Sequence, residues 1–296
     1  MAPRNWFWII LLGAIWGCSF IFNAILIREI GPLWVTSLRV AIGALGCWSV
    51  MIVLRKPLPA DPVLWFKLCA LGVLAYAVPF ALFPLAQANL ASGVAAIVNA
   101  LTPIMTVIVS HFWPGGERAN RAKGAGIVLG FAGATILASP ALSSGGQSEL
   151  WAVGACLLAT LCYAVSLNIT RSFRSVEPTA LAAIALTGAT IVSTPLALVV
   201  EGIPVMARTE TWLAVLAIGL LSTAFTFQVM YRVLPRVGAT NFATTTFIAP
   251  ISAIVLGVML LGETVPPIQL LGMLVVFVGL LLIDGRLLAM RRKLAA

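Results

Sequence analysis

The sequence has very little charge for its size. Only 9% of its 296 residues are Asp, Glu, Lys or Arg, whereas 61% are hydrophobic, and the mean hydropathy is +1.08. A soluble domain carries roughly a quarter charged residues. A chain with so few cannot cover a surface that faces water. This scarcity excludes a soluble globular protein and predicts an integral membrane protein.

Residue types that perform acid–base or metal chemistry are also scarce. The chain has one histidine, His111, and no Asp or Glu lies near the middle of an apolar run. Its five cysteines lie inside apolar runs and form no CxxC motif. An intramembrane enzyme would need a catalytic set such as paired aspartates, a Ser–His pair or an HExxH motif. We therefore expect no catalytic residue, no metal site and no cofactor. A channel is a further class of membrane protein that the composition does not exclude.

What the sequence does have is a series of apolar runs long enough to span a bilayer, separated by short polar breaks. Ten spans are predicted, at residues 6–27, 33–54, 63–86, 91–112, 124–138, 150–170, 179–200, 212–234, 239–261 and 268–288. The fifth is short and can extend at either end. The prediction is an all-α integral membrane protein with both termini on the same side.

Positive charge is divided unequally between the two sides of this arrangement. Of the 18 Lys and Arg residues, fifteen fall on the side of the termini, only Arg28 and Arg208 fall on the other side, and Arg39 lies within the second span. Because Lys and Arg are retained in the cytoplasm, we expect cytoplasmic N- and C-termini.

The second half of the chain repeats the first at a near-constant offset of 145 to 147 positions. The matched pairs include Trp6 and Trp151, Asn23 and Asn168, Pro103 and Pro250, Glu117 and Glu263, and Gly126 and Gly272. We predict an N-terminal five-helix repeat at 1–138, a linker at 139–149 and a C-terminal five-helix repeat at 150–296. Because five is odd, the repeats are inverted around a central cavity, an arrangement found in secondary transporters.

Pro103 and Pro250 interrupt the fourth and ninth spans, and we predict hinges at both. Proline lacks an N–H, so each frees the carbonyl four residues earlier, at Asn99 and Thr246 respectively. Such carbonyls are tolerated where they face protein or a water-filled cavity, and they could accept from a substrate ammonium. The alternative is a static kink, in which a neighbouring Ser or Thr or a water molecule satisfies the carbonyl.

These features together resemble the drug/metabolite transporter superfamily, and in particular its ten-helix EamA-type members. The resemblance rests on the Trp16–Gly17 pair, the "LTPI" and "IAPI" motifs, and the Glu117 and Glu263 that follow them. It implies an exporter of metabolites, including aromatic and other amino acids, in a bacterial inner membrane. The four-helix relatives carry a Glu in their first helix for cations and protons. This chain has none there, which argues against that mechanism.

Polar and aromatic side chains at helical spacing predict the substrate site. Rings supply stacking area, and amides and hydroxyls orient the polar end of a solute. The predicted substrate-binding residues are Trp16, Phe20, Asn23, Arg39, Tyr76, Phe80, Phe83, Asn99, Tyr163, Ser166, Thr223, Phe227, Gln228 and Thr246. Ordinary helix packing is the alternative for each single Phe.

Arg39 is the only cation well inside a predicted span. Intramembrane ions are functional candidates by default, so it could contact a substrate carboxylate. The alternative is a structural ion pair with Glu29 or Glu263. Glycine pairs such as Gly126 and Gly130 permit close helix approach, either within the chain or in a dimer, and we expect a monomer.

With no titratable carboxylate near the middle of a span, the sequence predicts facilitated rather than proton-driven transport. The expected function is export of a small net-neutral metabolite, an amino acid in the first place, by alternating access. A proton-coupled exporter of drugs or other metabolites is the alternative. Small solutes and lipid are the expected partners, and no nucleic acid is expected.

Overall fold

The computed structural model describes residues 3–144 and 147–284. It contains ten membrane-length or near-membrane-length helical spans. They are α1 (Pro3–Leu26), α2 (Pro32–Val53), α3 (Pro62–Gln87), α4 (Ser92–Phe112), α5 (Arg121–Pro140), α6 (Gln147–Phe173), α7 (Pro178–Glu201), α8 (Thr209–Gly238), α9 (Thr245–Leu261) and α10 (Pro267–Asp284). Within the described residues, nine of these are long and apolar enough to cross a membrane, and α9 is shorter. The predicted all-α membrane fold is confirmed.

Several predicted boundaries need correction. The helix of α5 continues through Pro140 to Ser144, and α6 begins at Gln147, so most of the predicted linker 139–149 is helical; residues 145–146 lie outside the described range. The last predicted residues of span ten, 285–288, also lie outside it. The exact boundaries between the two halves stay a prediction.

Hydrogen bonds join α2 and α7 at both ends of the helix bundle. At one end, called here the N-terminal end, Lys56 after α2 bonds to Glu177 before α7. At the opposite end, Glu201 at the close of α7 accepts from the backbone N–H groups of Leu33 and Trp34 at the start of α2, at 2.9 and 3.0 Å. Free N–H groups at a helix start need such acceptors. The α2–α7 pair is therefore fixed at both of its ends.

The contact at the N-terminal end gives a testable pH dependence. Burial by itself would raise the pKa of Glu177, but hydrogen bonds from Lys56, the Ala180 N–H and Thr179 outweigh it and lower the pKa. A lowered carboxyl pKa stabilises the fold above its unfolded value of about 4.3, and this stabilisation is lost as the pH falls through the folded-state pKa. We expect Glu177→Gln to cost about 1 kcal/mol at pH 7, since the pair is partly exposed.

The check is thermal unfolding of the purified protein at several pH values. The difference between wild type and Glu177→Gln should close as the pH falls below about 4.3. Glu210→Gln, which removes an exposed carboxylate, is the control and should follow wild type throughout. A difference that stays constant from pH 7 to pH 3.5 would contradict the assigned role of the carboxylate.

Glycines bring α5 and α10 into backbone contact in a reciprocal pattern. A Cβ on Gly126 would lie 2.6 Å from the Gly279 carbonyl oxygen, and one on Gly279 would lie 2.7 Å from the Gly126 oxygen. Gly133 and Gly272 face each other in the same way, at 2.8 and 2.9 Å. Since Gly126 matches Gly272 and Gly133 matches Gly279 in the sequence offset, this pattern is the one a two-fold relation between the halves produces. It also shows that these glycines pack within the chain.

The two prolines are not equivalent in the structure. Around Pro103, α4 divides into Ser92–Asn99 and Thr102–Phe112, and the Asn99 carbonyl accepts from the Thr102 hydroxyl at 2.7 Å. Pro250, in contrast, lies inside the continuous helix Thr245–Leu261. The predicted start of span nine at 239 coincides with a helix boundary, because Gly238 (φ 76°) separates the helical residues 239–242 from α8. A two-residue turn at 243–244 then precedes the helix Thr245–Leu261. The helix is therefore broken beside Pro103, where the Thr102 hydroxyl bonds to the freed Asn99 carbonyl. The helix is not broken at Pro250.

Candidate functional site

A cluster of seven aromatic side chains lies inside the helix bundle. Its rings are linked by centroid distances of 5.5 to 6.5 Å, within the range at which aromatic pairs attract. The members of this aromatic cluster are Phe20 of α1, Tyr76, Phe80 and Phe83 of α3, Tyr163 of α6, and Phe227 and Tyr231 of α8, of which only Tyr231 was not predicted. The structure therefore brings together six of the predicted site residues, from four helices and both halves of the chain.

Arg39 lies against this cluster and is 8% exposed. Its guanidinium carbon is 3.7 Å from the centroid of the Phe80 ring, a cation–π contact, and its Nε donates to the Thr223 hydroxyl at 3.2 Å. The ion pairs found among the described residues, Lys56–Glu177 and Lys123–Glu117, do not involve it. The cation is thus held in position by neutral groups.

The predicted alternative, an ion pair of Arg39 with Glu29 or Glu263, is wrong. Both carboxylates are held elsewhere by donors near helix starts. Glu29 accepts from the N–H groups of Ala207 and Arg208 and from the Thr211 hydroxyl. The Thr211 contact is the main reason why the pKa of Glu29 is lowered. Glu263 accepts from a backbone N–H of α4, described below.

A local widening of the helix marks the same place in α3 and α8. Residues Val73–Ala77 and Ala217–Phe225 form π-helical turns, and the first contains Tyr76 while the second contains Thr223. Such turns occur mostly as single insertions, frequently at functional sites. The sequence analysis did not predict them, because the insertion of one residue leaves the composition of a uniformly apolar run unchanged.

The other predicted site residues lie outside the aromatic cluster. Trp16 packs against Phe242, with ring centroids 6.0 Å apart. The Ser166 hydroxyl bonds within its own helix to the Tyr163 carbonyl at 2.9 Å. Asn99 is half-buried at the break in α4, and Gln228 accepts from the Thr179 hydroxyl at 3.0 Å.

Two cavities of solute size lie at the two ends of the bundle. The cavity at the N-terminal end has a volume of about 400 Å³ and is lined by Pro103, Val107, Thr246 and Phe247 among others. The cavity at the opposite end has about 450 Å³ and is lined by Ala24, Arg28, Gln87 and Glu263 among others. Two of the predicted residues, Pro103 and Thr246, therefore line a cavity. The central aromatic cluster, including Phe20 and Phe83, is not among the residues that line either cavity.

The polar network beside the second cavity was predicted in part. Asn23 donates to Gln87 at 2.9 Å, and Gln87 donates to the Phe20 carbonyl at 2.8 Å and to the Ser92 hydroxyl at 3.3 Å. Asn23 was predicted as a site residue, whereas Gln87 was missed. The signal was present, because an amide inside an apolar span needs a partner.

His111 has a structural contact. Its Nδ1 accepts from the backbone N–H of Ala119 at 3.0 Å, which ties the end of α4 to the loop that follows. His111 therefore holds the loop that follows α4 at the N-terminal end.

These features define a polytopic membrane protein with a central aromatic and cationic site between two end cavities. A family model described as the EamA-like transporter family matches the chain twice, at residues 5–139 and 150–284. The chain therefore belongs to the EamA-like transporter family, as the resemblance of its motifs had indicated.

Relatives agree with this assignment, and a solved structure has the same fold. The chain is 25% identical over 284 residues to YoaV, an uncharacterized transporter of Bacillus subtilis, covering 92% of this chain and 94% of that one. It is 25% identical over 262 residues to a probable terminal-alkyne amino-acid exporter of Streptantibioticus cattleyicolor, covering 87% and 82%. A solved crystal structure has the same fold, with a TM-score of 0.68 at 18% identity, covering 96% of this chain and 98% of the other.

Proposed function

We propose that this transporter exports amino acids, aromatic ones among them, by alternating access and without proton coupling. The observation that carries the proposal is Arg39, a buried cation without an ion-pair partner among the described residues, placed against the face of Phe80 in the aromatic cluster. A guanidinium presents a planar set of donors that matches a carboxylate. A substrate carboxylate would supply the counter-charge that the protein leaves out.

The surrounding rings favour a substrate with a flat apolar part. Tyr76 and Phe227 have centroids 5.5 Å apart, and Phe83 stacks on Tyr163 with planes at 22°. A further ring entering between them would gain about 0.5–1.5 kcal/mol beyond the burial of its area. The hydroxyl of Tyr163, whose ring belongs to the cluster, is the candidate to receive an ammonium group.

The amino-acid class is also supported by a relative. The Streptantibioticus cattleyicolor protein is a probable exporter of an amino acid. Arg39 and the cluster explain how this chain could bind the carboxylate and side chain of such a substrate. The family resemblance supports the direction of export and the location in the inner membrane, and the distribution of Lys and Arg supports cytoplasmic termini.

Uptake of labelled phenylalanine, tryptophan and threonine into proteoliposomes tests this function. We expect saturable equilibration of phenylalanine and tryptophan, with weaker uptake of threonine because it lacks a ring, and no uphill accumulation when a pH gradient is applied. Empty liposomes are the control. Accumulation driven by the pH gradient would replace the facilitated mechanism with proton coupling, and uptake of none of the three would remove the substrate class.

A further inference from the structure

Glu263 connects the two halves of the chain at the end opposite the termini. Glu263 lies two residues beyond the end of α9, and Gly262 between them has a left-handed conformation (φ 68°). The N–H of Glu263 donates to the Gly257 carbonyl at 3.1 Å. Its side chain folds back over Gly257, where a Cβ would lie 2.5 Å from Oε2. From there both carboxylate oxygens accept from the Ser92 backbone N–H, at 3.0 and 3.1 Å.

Ser92 is the first residue of α4, so its N–H has no partner within the helix. A carboxylate is a strong acceptor for such a donor, and its charge also suits the positive end of the helix. Beside this contact, Gly93 packs on Ile254 of α9, with a Cβ position 2.6 Å from the Ile254 side chain. At this end, α4 and α9 are therefore held together.

The contact belongs to a polar layer between the cavity of the opposite end and the aromatic cluster. Ser92 Oγ lies 3.4 Å from the Phe20 carbonyl and accepts from Gln87, which is bonded in turn to Asn23. Phe20 then packs on Phe83 inside the cluster. A solute moving between this cavity and the cluster has to cross the layer.

Among the residues that the structure describes, the N-terminal end shows no corresponding carboxylate contact. Glu117, the repeat counterpart of Glu263, has a side chain that is 74% exposed and is paired with Lys123. It lines the cavity that lies there between Pro103 and Val107 of α4 and Thr246 and Phe247 of α9. The same pair of helices is thus joined by a carboxylate at one end and separated by a cavity at the other.

We propose that Glu263 is a positioning residue of the transport cycle, a latch that closes the end opposite the termini by holding the start of α4 against α9. When the N-terminal end closes, Glu117 accepts a hydrogen bond from the backbone at the start of α9. In that state Glu263 no longer contacts the Ser92 N–H, and both groups are hydrated. The structure is then the state that is open toward the termini. This inference rests on the proposed alternating access, but it does not depend on the identity of the substrate.

The chain offers a pair of variants that isolates the contact. Ser92→Pro removes the backbone N–H that donates to Glu263. Proline is tolerated at this first helical position, and Ala91 before it already has the extended conformation that proline requires (φ −61°, ψ 149°). Ser92→Ala removes the hydroxyl and keeps the N–H. Glu263→Ala removes the latch, Glu263→Gln weakens it, and Glu210→Ala removes an exposed carboxylate at the same end as a control.

The readout is the distance between spin labels at Asn89 and Pro266, both exposed in the loops of that end, in a cysteine-free background without substrate. We expect one distance in wild type, Ser92→Ala and Glu210→Ala. Glu263→Ala and Ser92→Pro should each add a longer distance, raising its population about tenfold, with Glu263→Gln between. The double variant should equal either single one, since both remove one contact.

Unchanged distances in Glu263→Ala and Ser92→Pro, in protein that elutes as a single species, would overturn the latch, and so would additive effects in the double variant. If Glu263→Ala does not fold, Glu263→Gln and Ser92→Pro decide the question. Because no substrate is present, failure of the latch is distinguishable from failure of the amino-acid proposal, which the uptake assay tests separately.

Discussion

Replacing Arg39 with methionine should weaken the uptake of phenylalanine and tryptophan by about 10- to 100-fold while leaving the protein folded. Hydrogen bonds to charged groups are worth about 1.5–3 kcal/mol each, so loss of one carboxylate contact weakens binding by about 10- to 100-fold. Arg39→Lys should recover only part of the affinity, because an ammonium keeps the charge but loses the planar fork and the stacking on Phe80.

The same substitution should lower transport without lowering the stability of the fold. Arg39 is a buried cation that no ion pair compensates within the described part of the chain. Removing a buried charge of this kind and filling its place with an apolar side chain is often neutral or stabilising. We expect the thermal midpoint of Arg39→Met to equal or exceed that of wild type. A purely structural arginine would instead give a lower midpoint together with lower uptake.

Phenethylamine supplies the matched ligand control, since it keeps the ring and the amine of phenylalanine and lacks the carboxylate. Wild type should prefer phenylalanine, and Arg39→Met should lose that preference. Arg208→Met, an exposed arginine at the opposite end, should behave as wild type. Retention of the preference for phenylalanine in Arg39→Met would contradict the assigned carboxylate contact.

The sequence was sufficient to predict the ten helices because membrane length and hydropathy constrain them directly. It also identified the aromatic cluster, since Tyr76, Phe80 and Phe83 share one face of a helix by spacing alone. Boundaries that depend on single backbone conformations were less predictable. Gly238, with a φ of 76°, ends α8, and the turn at 243–244 then divides the ninth span at a place that its apolar pattern does not signal.

The partners of the charged residues were the least predictable part. Distances between Arg39, Glu29 and Glu263 depend on how the two halves cross, and the sequence offset says nothing about that crossing. Glu263 and Glu117 occupy equivalent positions, yet one holds a backbone N–H and the other is paired with Lys123. A repeat in sequence predicts equivalent residues, but each half of an asymmetric conformation uses them differently.

Replacing Gly126 with valine should prevent stable folding, and the same change two residues earlier at Gly124 should be tolerated. A Cβ on Gly126 would lie 2.6 Å from the Gly279 carbonyl oxygen, a backbone atom that cannot rotate away, whereas none of the atoms that the structure describes lies within 4 Å of a Cβ on Gly124. Overpacking by added methylenes costs about 1–3 kcal/mol where side chains can adjust. Here the two helices themselves must separate along their whole contact.

Size-exclusion profiles and thermal midpoints of Gly126→Val, Gly279→Val and Gly124→Val measure this effect. The first two should give aggregated protein or a much lower midpoint, to a similar extent, because each glycine contacts the backbone of the other. If these glycines instead formed a surface between two copies of the chain, Gly126→Val would change the oligomeric state and leave the midpoint of the monomer unaltered. The reciprocal contact between α5 and α10 predicts the opposite, since the two helices that close each half of the chain are held together by that backbone contact.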